Sequence, residues 1–308
     1  MTRVASFAQS QALLAELMKI NQRTATTQMQ ISTGKVADQY KDIPNDTDVL
    51  LSAKRVLTRT QQYQTSNKQI SSQLDMQDLT LGQIATSTQS LRQSALDAVS
   101  SGSGSGLMET VDGIFQQAVS LLNTQVDGKY IFGGTRTDQP PMTATSLTGL
   151  AALPAVSQAF ANNSQAPSVE IAPGQTMTYG FLADSVGTNL MASLQRIAQF
   201  NAGPNGPFGA TLTAAQQSFL EGEIPNLKAA AEALNGVVAQ NGQLQRQIQD
   251  TGDMQDASVT RVKSMISDIE DVDMADAVTR LNLDQVATEA SAKMISSLGQ
   301  LSLLNFLT

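Results

Sequence analysis

Five carboxylates crowd the segment from Asp268 to Asp276, namely Asp268, Glu270, Asp271, Asp273 and Asp276. Oxygen donors at that density are the groups a calcium ion would use, but the run has neither the central glycine nor the spaced terminal glutamate of an EF-hand loop. The expected role is a solvated or intersubunit patch at a hinge, paired with Arg280 or a neighbour's lysine. Exposed pairs of this kind contribute about 0–1 kcal/mol each and tune geometry more than strength. Ser101 to Gly106, SGSGSG, could be taken for a phosphate-cradling loop. It lacks the following Lys-Ser or Lys-Thr and a preceding strand, so a flexible break between helices is expected.

Beyond these two runs the chemistry thins out. The 308 residues contain no His and no Cys, which removes the commonest general base, the commonest metal ligand and the thiol nucleophile. No catalytic residue, metal site or cofactor is expected, and the chain does not read as an enzyme. A net charge of −8 argues against nucleic acid as a partner, because neutralising phosphates requires clustered Lys and Arg. No apolar run is long enough for a signal-peptide core or a bilayer span, so neither general secretion nor membrane insertion is expected.

The elements that would carry any function are long helices. Alternating steps of four and three from Val49 give Ala53, Val56, Thr60, Tyr63, Asn67, Ile70, Leu74, Gln77, Leu81, Ile84, Thr88, Leu91, Ala95 and Ala98. This is a coiled-coil seam opened by the breaker and cap residues Pro44, Asn45 and Asp46 and closed by SGSGSG, with a further helix over about 107–126. The same step from Leu220 runs through Ile224, Leu227, Leu234, Asn241, Gln245, Ile248 and Val259, then across the acidic run to Leu283, Ala287, Ala290, Met294, Leu301 and Leu304. The seam is expected to loosen from Asp273 to Arg280. At seam positions Asn67, Gln77, Asn241 and Gln245 are either plain polar lapses or pairs that cross between helices and fix register.

Residues 128–187 differ in composition, being rich in Thr, Ser, Ala and Pro. There SVEIAPGQTMTYGF alternates with period two around Pro173-Gly174, which predicts a β-hairpin. The fold class is therefore mainly α, a long coiled-coil-like helical hairpin or bundle formed by both chain ends, with a small β-rich inserted outer domain. The expected organisation is 1–34 with 281–308 as terminal helices, 35–127 with 188–280 as the long bundle, and 128–187 as the insertion. Tyr130, Ile131 and Phe132 should anchor the handover into the insertion, where Gly133 and Gly134 permit a tight turn.

The ends are short of charge. From Thr2 to Gly34 only Arg3, Glu16, Lys19 and Arg23 are charged, and from Leu281 onward only Asp284, Glu289 and Lys293. Stripes at Leu13, Leu17, Ile20, Thr24, Thr27 and Ile31, and at Leu283, Met294, Leu298, Leu301, Leu304 and Phe306, mark assembly faces. Burying Leu283 or Met294 contributes about 1.5–3 kcal/mol each, while ordering the backbone opposes this at about 1–2 kcal/mol per residue. Both ends are therefore expected to order fully only on assembly. Coiled-coil arms alone would also suit a secreted binding protein.

Four segments resemble the flagellin family: QISTGKVAD (30–38), DGKYIFGGTRTDQPPM (127–142), VEIAPGQTMTY (169–179), and LSLLNFL (301–307) preceded by DIEDVDMADAVTRL (268–281). Where filament flagellins usually show a loop similar to INSAKDDAAG, this chain has KVADQYKDIPNDTD. That departure, with the Pro140-Pro141 pair, favours the family's hook–filament junction branch over its filament subunits. The resemblance implies an extracellular structural subunit of the bacterial flagellum, exported through the type III apparatus without a cleavable signal peptide and escorted by a flagellar export chaperone. It implies homo-oligomerisation in a ring or filament, contact with a hook-side junction protein and with filament flagellin, and terminal helices that form the inner tube.

Overall fold

The computed structural model describes the backbone over residues 2–304, and side chains at residue 8 and over 11–297. Seven α-helices follow one another as α1 (Thr2–Thr33), α2 (Thr47–Ser101), α3 (Leu107–Leu122), α4 (Leu147–Ala152), α5 (Ala183–Ala202), α6 (Ala214–Glu270) and α7 (Met274–Leu304). Two antiparallel pairs, β1 (Gln125–Val126) with β2 (Lys129–Tyr130) and β3 (Ser168–Ala172) with β4 (Gln175–Thr178), and two 3-10 helices, Tyr40–Asp42 and Val156–Ala159, complete the described elements. The chain divides into two compact units, residues 1–59 with 257–308 and residues 60–256. This division differs from the boundaries at 34/35 and 280/281 drawn from composition, and α7 opens at Met274, ahead of residue 281.

The unit of residues 60–256 has a continuous apolar core. Leu81, Ile84 and Leu91 of α2, Val111, Phe115 and Leu122 of α3, Leu190, Leu194 and Ile197 of α5, and Leu220, Leu227 and Leu234 of α6 are all buried together. From Asn67 to Ala98 the heptad line read on α2 is the buried face. That is what a period near 3.5 dictates once a partner helix exists. The insertion closes one side of this core by lowering Phe132, Met142, Leu147 and Leu150 into it. Its strand content is confined to β2 and the β3–β4 hairpin, and the rest is loop, α4, the 3-10 helix Val156–Ala159 and the first turn of α5. Such short strands cannot bury an independent core, so the hairpin docks Ile171 and Met177 onto Ile70, Leu74 and Ile248 of the long helices.

The SGSGSG run is a fixed turn rather than a flexible break. The Gly104 amide donates to the Gly209 carbonyl (2.9 Å) and the Leu212 amide to the Gly102 carbonyl (2.8 Å). A Cβ on Gly104 would lie 2.9 Å from both the Leu212 and Phe208 side chains, so only a bare backbone fits there. The following helix start is a capping box: the Gln216 amide donates to Thr213 Oγ1 (3.3 Å), while the Thr213 amide donates to Gln216 Oε1 (3.0 Å).

Helix α6 runs through Pro225, which has no amide for the preceding turn. Two residues earlier, buried Glu223 accepts a two-pronged hydrogen bond from Arg196 of α5, at 2.7 and 2.9 Å. The carboxylate holds the guanidinium above its ordinary pKa. Arg196→Ala removes the partner of a buried charge and is expected to cost about 1–3 kcal/mol, discounted for the half-exposed arginine. A lowered urea midpoint with an unchanged slope would show it.

The four seam amides do bond between elements, and two of them reach further than a helix pair. Asn241 Nδ2 donates to the Leu74 carbonyl (2.9 Å) and Gln245 Nε2 to Asp75 (2.9 Å), tying α6 to α2. Asn67 Nδ2 and Gln255 Nε2 converge from the two long helices on one hairpin carbonyl, that of Ile171, at 3.0 and 2.7 Å. Gln77 Nε2 donates to the Ile131 carbonyl (2.7 Å) at the start of the insertion. Each amide N–H thus ties two elements in register, while the amide oxygens of Asn67, Gln77 and Asn241 are buried without a hydrogen-bond partner.

Candidate assembly surface

In the unit formed by residues 1–59 and 257–308, α1 packs along α7. The stripe read on α1 is the face that turns inward. Ile20 and Thr27 are buried, and Leu13, Leu17, Thr24 and Ile31 are half-buried. On α7 the inward line is not the apolar one. It runs through Ala277, Leu281, Asp284, Thr288 and Ser291, one position displaced from the line through Leu283, Ala287 and Met294. Arg23 Nη2 donates to buried Asp284 at 2.5 Å, and Thr288 Oγ1 returns to the Asp284 carbonyl. Ion pairing and small side chains therefore set this seam, and Leu283 (63% exposed) and Met294 (50% exposed) stand outside it. The side chains of Leu298, Leu301 and Leu304 lie outside the described residues, as does Phe306 altogether.

Apolar exposure is concentrated here. Among the described residues, this unit buries only Ile20, Leu50, Ala53 and Ala277 as hydrophobic side chains, yet it exposes thirteen of the chain's sixteen exposed large hydrophobics. Leu14, Met18, Met29, Val278 and Val286 belong to that set and were missed by sequence reasoning, which followed a single heptad line on each helix. The available signal was apolar residues falling off that line. The α2 seam also lapses in this unit, since Leu50 and Ala53 are buried while Val49 and Val56 are exposed. A surface this apolar marks an interaction site.

The acidic run is resolved into local tasks. Glu270 takes an ion pair from Lys54 and a longer one from Lys35 (3.9 Å), and its hydrogen bond raises the Lys54 pKa above the usual amine value. Asp271 accepts from Ser267. Asp273 Oδ1 caps α7, accepting from the Ala275 amide (2.9 Å) and the Asp276 amide (3.1 Å). Asp276 pairs with Arg280 at 3.0 Å. The cap makes residues 271–273 a true break between α6 and α7, and the two chain reversals there are joined. The Val36 amide donates to the Glu270 carbonyl (2.7 Å) and the Val272 amide to the Gly34 carbonyl (2.9 Å). Among the described residues no cluster of three His, Cys, Asp or Glu side chains could hold a metal ion. None of the described helices is long and apolar enough to cross a membrane.

The handover into the insertion lies in the other unit. Phe132 is fully buried, Ile131 nearly so, and Tyr130 half-buried. The Phe132 carbonyl accepts from the Ala183 amide (2.9 Å), and the Gly133 carbonyl from the Asn163 amide (3.1 Å), so the outgoing and returning strands of chain are stitched at this point. A Cβ on Gly133 would sit 2.1 Å from the Arg136 carbonyl oxygen; Gly134, at φ 68°, is hemmed in by the Gln165 and Asn163 carbonyls. Gly133→Ala forces the backbone apart and is expected to destabilise the chain by about 1–3 kcal/mol. Its thermal midpoint should fall by several degrees.

Residues 224–307 match the model of the bacterial flagellin C-terminal helical region, so this chain carries a flagellin-type C-terminal arm, which holds one of the four resembling segments, 301–307 preceded by 268–281. About three quarters of the chain shares its fold with solved structures. It superposes on a putative flagellar hook-associated protein from Vibrio parahaemolyticus with a TM-score of 0.62 at 18% identity, covering 75% of this chain and 100% of that one. It superposes on FlgL from Bacillus cereus with a TM-score of 0.55 at 14% identity, covering 71% of this chain and 99% of that one. No curated protein sequence matches the chain.

Proposed function

We propose that this chain is a non-enzymatic structural subunit of the junction between flagellar hook and filament, of the hook-associated protein 3 type. The observation that carries the reading is the apolar exposure of residues 1–59 with 257–308, on the arm that matches the flagellin C-terminal region. Such a surface suits a subunit whose neighbours cover it in a polymer. The likeness in fold to two hook-associated proteins supports the junction over the filament. Its partners would be further copies of itself, a hook-side junction protein, filament flagellin and, before export, a dedicated chaperone.

With so few buried apolar side chains in the terminal pair, the ends gain full protection on assembly. Amide exchange in the free subunit should be fast from Ala5 to Ile31 and from Leu283 to Leu304, and slow from Leu81 to Leu91. Uniformly slow exchange would remove the idea of ordering on assembly. Immunogold labelling of intact flagella decides between the two flagellar readings: label confined to the distal end of the hook supports the junction, and label along the whole filament identifies a filament subunit.

A further inference from the structure

A concavity of about 450 Å3 opens between α2, the β1–β2 turn and the start of the β3–β4 hairpin, within the size range of small-ligand pockets, about 300–1,000 Å3. It lies wholly in the unit of residues 60–256 and touches none of the apolar assembly surface. Its composition is unusual for this chain, which has four tyrosines and no tryptophan: Tyr130 and Tyr179, two of the four, line it together. Both are half-buried, on an apolar base that includes Ile70 and Ile131. Gln69 and Gln73 from α2, and Asp127 and Lys129 from the β1–β2 turn, complete the polar lining.

None of these six side chains makes a hydrogen bond or ion pair with another described residue. Tyr179 is also kept protonated, since burial pushes its phenol upward. The lining therefore offers aromatic faces for an apolar flat surface, together with uncommitted donors and acceptors around them. One lysine beside one aspartate gives no net charge, which disfavours a phosphate or a polyanion. A purely apolar ligand would leave the amides and the carboxylate desolvated at a cost.

We propose that this pocket binds a neutral saccharide of one or two rings. The C–H face of a pyranose lies against Tyr130 or Tyr179, Asp127 accepts from a vicinal diol, and Gln69, Gln73 and Lys129 bond to the remaining hydroxyls. The inference stands apart from the junction reading, because it rests on a different unit of the chain and on a soluble ligand.

The test is saturation-transfer NMR on the full chain with maltose, lactose, cellobiose and N,N′-diacetylchitobiose, and with glycerol as the control polyol. At least one disaccharide should receive transfer at its ring protons while glycerol does not. Tyr130→Ala and Tyr179→Ala should each weaken that binding about tenfold or more, with Tyr179→Phe, which keeps the ring, losing less. Gln73→Ala, on the surface of a long helix, provides a variant that keeps the fold and should also weaken binding. Absence of transfer to all four sugars overturns the proposal. So does transfer equal to that of glycerol, or affinity unchanged in folded Tyr179→Ala and Gln73→Ala.

Discussion

Replacing Leu283 and Met294 together by aspartate is expected to abolish incorporation of the chain into a flagellar polymer while leaving the melt of the free subunit unchanged. Both side chains are exposed in the subunit, at 63% and 50%, and substitutions at such positions usually stay within about 0.5 kcal/mol. In a polymer that covers this face, each would contribute about 1.5–3 kcal/mol on burial. Their joint loss is about 3–6 kcal/mol per subunit contact, or roughly a hundredfold to ten-thousandfold in affinity. Two carboxylates forced into an apolar contact add a further desolvation cost. Swimming assays and electron microscopy of the mutant's flagella read the outcome: filaments shed or absent agree with the proposal, and normal motility removes these residues from the assembly face. Replacing half-buried Leu13 and Leu17 on α1 should instead lower the subunit's own stability, because they face α7.

Phe132→Ala should be the most damaging single change to the unit of residues 60–256, at about 3–5 kcal/mol. The ring has no solvent exposure and packs into the shared core of α2, α3, α5 and α6. The carbonyl of the same residue accepts from the Ala183 amide, so a collapsing side chain also disturbs the point where the insertion returns to the bundle. Tyr130→Ala, at a half-buried position, should cost clearly less. Urea unfolding of the two variants, followed by circular dichroism, gives both values; equal midpoints would show that the anchor of the insertion lies elsewhere.

Most of the helical frame was readable because hydrophobic periodicity translates directly into a buried face. The line from Asn67 to Ala98, the stripe from Leu13 to Ile31 and the hairpin around Pro173-Gly174 all sit where the spacing puts them. The flagellin-type arm was legible from its closing motifs, 268–281 and 301–307. Less legible was everything that depends on which neighbour a residue meets. The run of five carboxylates read as one patch, yet it separates into a pair of lysine contacts, a helix cap and a local Arg280 pair, since capping and pairing are decided by chain reversals at residues 34–36 and 271–273. Asn67 read as a helix-to-helix candidate, but its acceptor, shared with Gln255, belongs to the hairpin.

The sequence by itself determined that the chain is built from long, charge-poor helices with almost no chemistry for catalysis, because composition and period survive without knowledge of contacts. Tertiary structure alone decided which face of α7 turns inward. An apolar line and a line of small and polar residues run side by side on that helix. Arg23 selects the second by pairing with Asp284, and the ion pair in the seam leaves Leu283 and Met294 uncovered. Hydrophobicity names a face that wants a partner, and only packing shows whether that partner is the chain itself or another molecule.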